Sequence, residues 1–232
     1  MASQIELISF KTCPYVQRAV ITVIEKQAPH KITYIERNPK PGWFLEISPH
    51  GKVPVVRIGD AVLFESAPIC EYIDEAFPPR LMPADPVSRA FNRAWILHAT
   101  TLMLALGGYF FAAEEEAMLA KVKPLGEALE KTEGALADSG HDGPFFNGET
   151  FSIIDASFAP AFQRYEILER YRPLGILAGL PRVAAWSQAL LAHPSVKTSV
   201  VADFERLFRD SQRARGSFIA RFFPEEAETA AQ

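Results

Sequence analysis

The chain is poor in cysteine. Among its 232 residues only Cys13 and Cys70 carry thiols. Two are too few for a disulfide framework, and their spacing fits neither a zinc ribbon nor a zinc finger, so no metal site is expected. A reducing, cytoplasmic setting is the default for such a chain. Clustered basic charge is also missing. Lys and Arg number 24 against 28 Asp and Glu, the formal net charge is −4, and no Lys/Arg run exceeds a few residues. No strong basic field is available for nucleic acid. The N-terminus, Met-Ala-Ser-Gln-Ile-Glu, lacks the basic and apolar regions of a secretory signal. The most apolar stretch, Trp95 to Ala113, is interrupted by His98, Thr100, Thr101, Gly107 and Gly108. It is short for a bilayer span, so a buried helix is expected and no membrane partner. One further absence is local. Cys13 is followed by Pro14, Tyr15 and Val16, with no second cysteine to complete a redox pair.

What is present reads as two parts. Ile5 to Phe10 has the pattern of a short strand, and Pro14 opens a helix to about Gln27, proline being tolerated at the first helical position. Lys31 to Glu36 reads as a second strand and Val53 to Val56 leads into a third. Gly59-Asp60 is a two-residue hairpin signal before a fourth strand, Ala61 to Phe64. Ser66 starts a helix reaching Ala76, with Ile69, Cys70, Ile73 and Phe77 at helical spacing. The order β-α-β, loop, β-β-α predicts a mixed four-stranded sheet of thioredoxin-like type. The segment "FPPRLMPADP" holds four prolines in ten residues and reads as a linker. Only helical patterns follow: Pro86 to Ala113, Glu114 to Asp138 with a kink or break at Pro124, a helix capped by Ser152 and Asp155 to about Arg170, Pro181 to Leu191, and Ser195 to Phe208. The tail "PEEAETAAQ" is polar and expected to be disordered. The expected division is residues 1–79 as the thioredoxin-like domain, 80–86 as linker and 87–232 as an all-helical domain.

Four places carry chemistry. Cys13 sits where a strand ends and a helix begins, and a helix N-terminus favours an anion. A thiolate there should have a lowered pKa, with Lys11 adding positive potential. The plain alternative is a small buried hydrophobe. Cys70, inside a helix on its apolar side, reads as core. Val53-Pro54 is either an ordinary proline at the start of a strand or a cis pair facing the thiol, with the Val53 backbone turned outward for an extended peptide. Glu65-Ser66 is either a capping pair or the two grips for one α-amino acid group, Ser66 and the helix N-terminus for its carboxylate and Glu65 for its ammonium. Lys40 and Lys52 are cation candidates for a second carboxylate, or solvated surface lysines.

These segments resemble the glutathione transferase superfamily along essentially the whole chain. The residues that carry the likeness are "CPYVQRA", "KPGWF", "GKVPVV", "LFESAPICEYIDEAFP" and "FSIIDASFAP". The cysteine-proline pair and the K-P-x-W-F segment look most like the omega class and its bacterial relatives. The resemblance implies glutathione as co-substrate, Cys13 as the reactive residue, and Lys40 or Lys52 at the glycine carboxylate. It further implies Val53 with cis Pro54 at the cysteinyl unit, Glu65 and Ser66 at the γ-glutamyl end, Tyr15 beside the Cys-Pro pair, and a homodimer. The Tyr or Ser that many members use to activate glutathione is absent, and Cys13 stands in its place. Thr12 and Arg37 match no class.

A cysteine is better suited to exchanging disulfides than to stabilising a glutathione thiolate. The leading expectation is therefore Cys13-dependent thiol transfer with glutathione: deglutathionylation or reduction of the dehydroascorbate type. The alternatives are conjugation, dehalogenation or ether cleavage of a small electrophile, and a non-catalytic protein that binds apolar ligands or a protein partner. For the last, Trp95, Tyr109, Phe110 and Phe111 would line an interdomain pocket. The segment after Phe208 is left either folding over that pocket or projecting from it.

Overall fold

The computed structural model describes residues 4–225. Four strands form one sheet in the order β2-β1-β3-β4: β1 is Ile5–Ser9, β2 His30–Tyr34, β3 Val55–Ile58 and β4 Ala61–Phe64. β1 and β2 are parallel, joined across helix α1 (Pro14–Glu25), and β3 runs antiparallel to both β1 and β4. The expected thioredoxin-like sheet is therefore present. Its register is pinned by charge as well as by pattern. Glu6 faces Lys31 on one side and Arg57 on the other, pairs with them at 3.2 and 2.7 Å, and accepts from Thr33 Oγ1 at 2.6 Å. A one-residue slip would break all three contacts and turn Ile5 and Leu7 to the wrong face. A short helix α2 (Gly42–Ile47) sits in the loop before β3, and α3 (Ser66–Ala76) follows β4. Cys70, on the buried side of α3, is fully enclosed, and both it and the half-buried Cys13 are free thiols. Burial pushes the Cys70 pKa up to about 11.

The rest is helical. α4 (Pro86–Phe111) starts on an Asp85 cap that accepts from Ser88 N at 2.7 Å. It is long and apolar enough to cross a membrane by length and composition. In this fold one side of it, with Ile96, Ala99, Leu102, Met103 and Leu106, is buried in the core. The expected helix from Glu114 to Asp138 is instead two, α5 (Glu115–Leu119) and α6 (Val122–Asp138). The break falls at Ala120-Lys121 rather than at Pro124, which lies in the first turn of α6, where a missing N–H costs nothing. α7 (Ile153–Tyr171) carries the expected Ser152/Asp155 capping box. α8 spans Pro181–Ala192.

The last predicted helix is also divided, into α9 (Pro194–Lys197) and α10 (Phe204–Arg215). Ser199 Oγ bonds back to Val196 O at 2.7 Å, and the β-branched pair Val200-Val201 follows, so the helix stops. α10 runs beyond Phe208 and ends at Gly216 with φ +69°, a left-handed cap that glycine adopts without steric cost. The chain then folds back: Phe218 N donates to Ala112 O at 2.8 Å, tying a 3-10 turn (Phe218–Phe222) to the end of α4. Of the polar tail, residues 226–232 lie outside the described residues.

Candidate active site

Cys13 is the N-cap of α1, in extended backbone conformation, with Pro14 as the first helical residue. Gln17 N donates to Cys13 O at 3.1 Å, so the helix begins at the cysteine itself. The side chain is half-buried. Burial pushes the thiol above its ordinary value, against the pull of the Val16 and Tyr15 amides and of the Arg164 and Arg37 guanidiniums. The expected depression of this pKa is thus not realised: the helix N-terminus acts as foreseen, but desolvation outweighs it. The cations that act on the thiol are Arg164 and Arg37, rather than Lys11.

Two cavities meet beside this thiol. The first, about 430 Å³, lies between the Cys13 turn, α4 and α10, and takes in Cys13, Tyr15, Lys40, Lys52 and Val53. The second, about 420 Å³, reaches the start of α3 and takes in Tyr15, Lys52, Val53, Pro54, Glu65 and Ser66. All eight residues singled out in the sequence therefore line one continuous region, with Tyr15, Lys52 and Val53 shared by both halves. The Val53-Pro54 peptide is cis. Among the described residues neither backbone group of Val53 has a hydrogen-bond partner. Glu65 has φ +66° and ψ 127°, a conformation that a non-glycine residue holds at a cost of about 1–3 kcal/mol. That conformation places an exposed carboxylate directly before the buried Ser66, the first residue of α3.

Three residues missed in the sequence complete the site. Arg164 reaches from α7 across to the Cys13 turn. Its Nη1 donates to Gln17 Oε1 at 2.8 Å and Pro160 O at 2.7 Å, and its Nη2 to Thr12 O at 2.9 Å. Burial lowers its pKa to about 10, while the neighbouring Cys13 raises it, so the guanidinium stays charged at neutral pH. Gln17 continues the link, donating to Gln163 Oε1 at 2.7 Å and Ser199 Oγ at 3.0 Å. Arg215, the last residue of α10, closes the outer edge of the first cavity. The one available signal was an arginine in "FAPAFQRYEIL" at helical spacing from Pro160, Ala161 and Leu168, on the apolar face of α7. Of the four aromatics expected to line the pocket, Phe110 and Phe111 do. Tyr109 is fully buried core, and Trp95 packs instead against Phe91, His98 and Phe146.

Comparison with known proteins agrees with this geometry. The family models described as "Glutathione S-transferase, N-terminal domain" and "Glutathione S-transferase, C-terminal domain" match residues 7–81 and 112–189. Pyrimidodiazepine synthase of Drosophila melanogaster is 33% identical, over 87% of this chain and 85% of that protein. Glutathione S-transferase omega-1 of Sus scrofa is 30% identical, over 83% and 78%. Probable glutathione S-transferase DHAR1, cytosolic, of Oryza sativa subsp. japonica is 30% identical, over 82% and 85%. The crystal structure of glutathione transferase Omega 3C from Trametes versicolor superimposes with a TM-score of 0.75 at 28% identity, covering 84% of this chain and 88% of that one. With both family models matched and relatives of 30% identity or more covering over four fifths of it, the chain belongs to the glutathione S-transferase family.

Proposed function

We propose that the protein is a glutathione-dependent thiol transferase that uses Cys13 as its nucleophile. The observation that carries this reading is the placement of a lone, free thiol at a helix start beside one continuous groove. That groove offers an unpaired backbone strand edge at Val53, a carboxylate and a helix N-terminus at Glu65-Ser66, and lysines at the other side. These match the three units of glutathione. The γ-glutamyl ammonium and carboxylate meet Glu65 and the Ser66 hydroxyl and amide. The cysteinyl unit pairs with Val53 beside Pro54 and Tyr15. Lys40 or Lys52 meets the glycine carboxylate.

The chemistry then needs only one protein sulfur. The Cys13 thiolate attacks the glutathionyl sulfur of a mixed disulfide. The new S–S bond joins Cys13 to glutathione, and the substrate leaves as a thiolate that takes up a proton. A second glutathione, as thiolate, attacks the glutathionyl sulfur on Cys13. Oxidised glutathione departs and the Cys13 thiolate is regenerated, stabilised as it leaves by the Tyr15 and Val16 amides and the two guanidiniums. For reduction of the dehydroascorbate type, two glutathiones supply the electrons and oxidised glutathione is again the product. Residues 1–79 hold glutathione in this scheme and residues 87–232 supply the wall facing the second substrate.

The test is Cys13→Ser. Turnover of a glutathionyl mixed disulfide should fall about a hundredfold or more, because a hydroxyl is a far weaker nucleophile at neutral pH. Calorimetric binding of glutathione should survive. Undiminished reduction by the variant would overturn the proposal.

We further propose a homodimer in a reducing, cytoplasmic setting. The outward side of α4 presents Leu97 and Leu104 at 66% and 65% exposure, and the exposed Phe64 lines the second cavity beside Leu104, an apolar patch that a second copy would cover.

A further inference from the structure

The first cavity has a one-sided charge balance. Arg37, Lys40, Lys52, Arg164 and Arg215 line it and no carboxylate does, in a chain of net charge −4. Arg164 is already engaged with Thr12, Gln17 and Pro160. Lys40 and Lys52 are the two candidates for the glycine carboxylate of glutathione in the thiol-transfer reading, on which this inference rests. Arg37 and Arg215 remain.

Among the described residues, neither of these two forms an ion pair or donates a side-chain hydrogen bond. Each instead places its guanidinium over an aromatic ring that lines the cavity. The Arg37 guanidinium is 4.7 Å from the Phe10 ring centre, and the Arg215 guanidinium is 4.7 Å from that of Phe111. The two come from opposite ends of the chain, one from the loop after β2 and one from the end of α10. They stand near enough that, after burial, the charge of Arg215 is the main influence holding the Arg37 pKa down. Two like charges lining one cavity without a carboxylate repel each other and favour an anion between them. A guanidinium held over a ring by cation–π attraction still has its N–H donors for a carboxylate. Beneath this pair the wall is apolar, built from Met103, Leu106, Phe110 and Phe208.

We infer that the second substrate is an anion with an apolar, ring-sized body. Its carboxylate is held between Arg37 and Arg215, and its body packs on the aliphatic and aromatic wall next to Cys13. For a mixed disulfide this means that the group leaving glutathione is an aryl or comparably bulky thiol bearing a carboxylate. The Cys13 attack is unchanged, and the departing thiolate stays anchored by its second charge while the new bond forms.

The experiment compares two mixed disulfides of glutathione on the full chain, one with 5-thio-2-nitrobenzoate and one with 4-nitrothiophenol. They differ in the ring carboxylate. The expected kcat/KM ratio favours the carboxylate by about tenfold, the ordinary worth of one charge-assisted hydrogen bond. Arg37→Gln and Arg215→Gln should each bring the ratio towards one. A wild-type ratio near one, or a ratio that survives both substitutions, overturns the inference while leaving thiol transfer intact. A second measurement separates the two readings. Calorimetry on the Cys13→Ser protein with 2-naphthoate and 2-naphthalenemethanol should show a preference for the anion that Arg215→Gln removes. That preference supports the anion site even if neither disulfide is turned over, in which case thiol transfer alone fails. Equal affinity for acid and alcohol overturns the inference.

Discussion

Asp155 holds the helical half together at one point, and its removal can be costed from the structure. Its carboxylate is fully buried and accepts four hydrogen bonds. Oδ2 takes Ser152 N at 2.8 Å and Ser152 Oγ at 2.5 Å, and Oδ1 takes Phe146 N at 3.0 Å and Trp186 Nε1 at 2.7 Å. In Asp155→Ala the Ser152 hydroxyl can rotate to another acceptor, but three N–H donors stay buried without a partner. Each such donor costs roughly 1–3 kcal/mol. The loss is partly offset because burial penalises the carboxylate itself, raising its pKa against the pull of Ser152, Phe146 and Trp186. A net destabilisation of about 4 kcal/mol follows, a large part of the roughly 5–15 kcal/mol typical of a folded protein. At about 2–4 °C per kcal/mol for a chain of this size, the melting midpoint should fall by roughly 8–16 °C. Asp155→Asn keeps one oxygen for the Phe146 and Trp186 donors and should lose about half as much. Urea titration followed by tryptophan fluorescence, to which Trp186 contributes with Trp43 and Trp95, together with scanning calorimetry, measures both variants. An alanine variant within about 2 °C of wild type, or an asparagine variant as unstable as the alanine one, would refute the reasoning.

The remaining predictions concern the site and its assembly. In the glutathione-free protein, alkylation of Cys13 by iodoacetamide should climb with pH and reach half its maximum above 9.0, the ordinary thiol value, because burial raises this pKa; a plateau below 9.0, read by mass spectrometry, would contradict this. Arg164→Met should move that profile further up, since it removes a charge that lowers the pKa. The same raised pKa means the folded state holds the thiol proton more tightly. Its contribution to stability is complete below the unfolded pKa and is lost as pH rises through the folded one. Leu97→Glu on α4 should shift the sedimentation coefficient from dimer to monomer at micromolar protein, with no change in the melting of the monomer fold beyond about 0.5 kcal/mol; an unchanged dimer would remove that face from the interface.

Much of this was legible in the chain. The period-two runs of the strands, the Gly59-Asp60 turn and Pro14 after Cys13 are local signals. Local backbone preference and burial agree there, so the sheet and α1 follow directly. The Ser152/Asp155 box was legible for the same reason: a cap is made by residues three apart. The divided helices were less so. Ala120-Lys121 and Thr198 to Ala202 hold neither proline nor glycine, and what stops them is packing and a serine bonding back to Val196. The pKa of Cys13 was misjudged for a related reason. A helix N-terminus can be read from neighbouring residues, but the desolvation that outweighs it comes from walls supplied by α4, α7 and α10.

The sequence by itself determined the thioredoxin-like sheet and the all-helical second half, and it singled out the cysteine at the start of α1 and the segments whose eight residues line the groove beside it. Each of those rests on a motif whose members are neighbours in the chain or repeat at a fixed period. Only the tertiary structure decided that Arg164 crosses to Thr12 and Gln17, that residues after Phe208 line the cavity, and that Arg37 and Arg215 line it together with no carboxylate beside them. Those depend on how distant elements pack, and charge and burial act through space, where sequence separation carries no information.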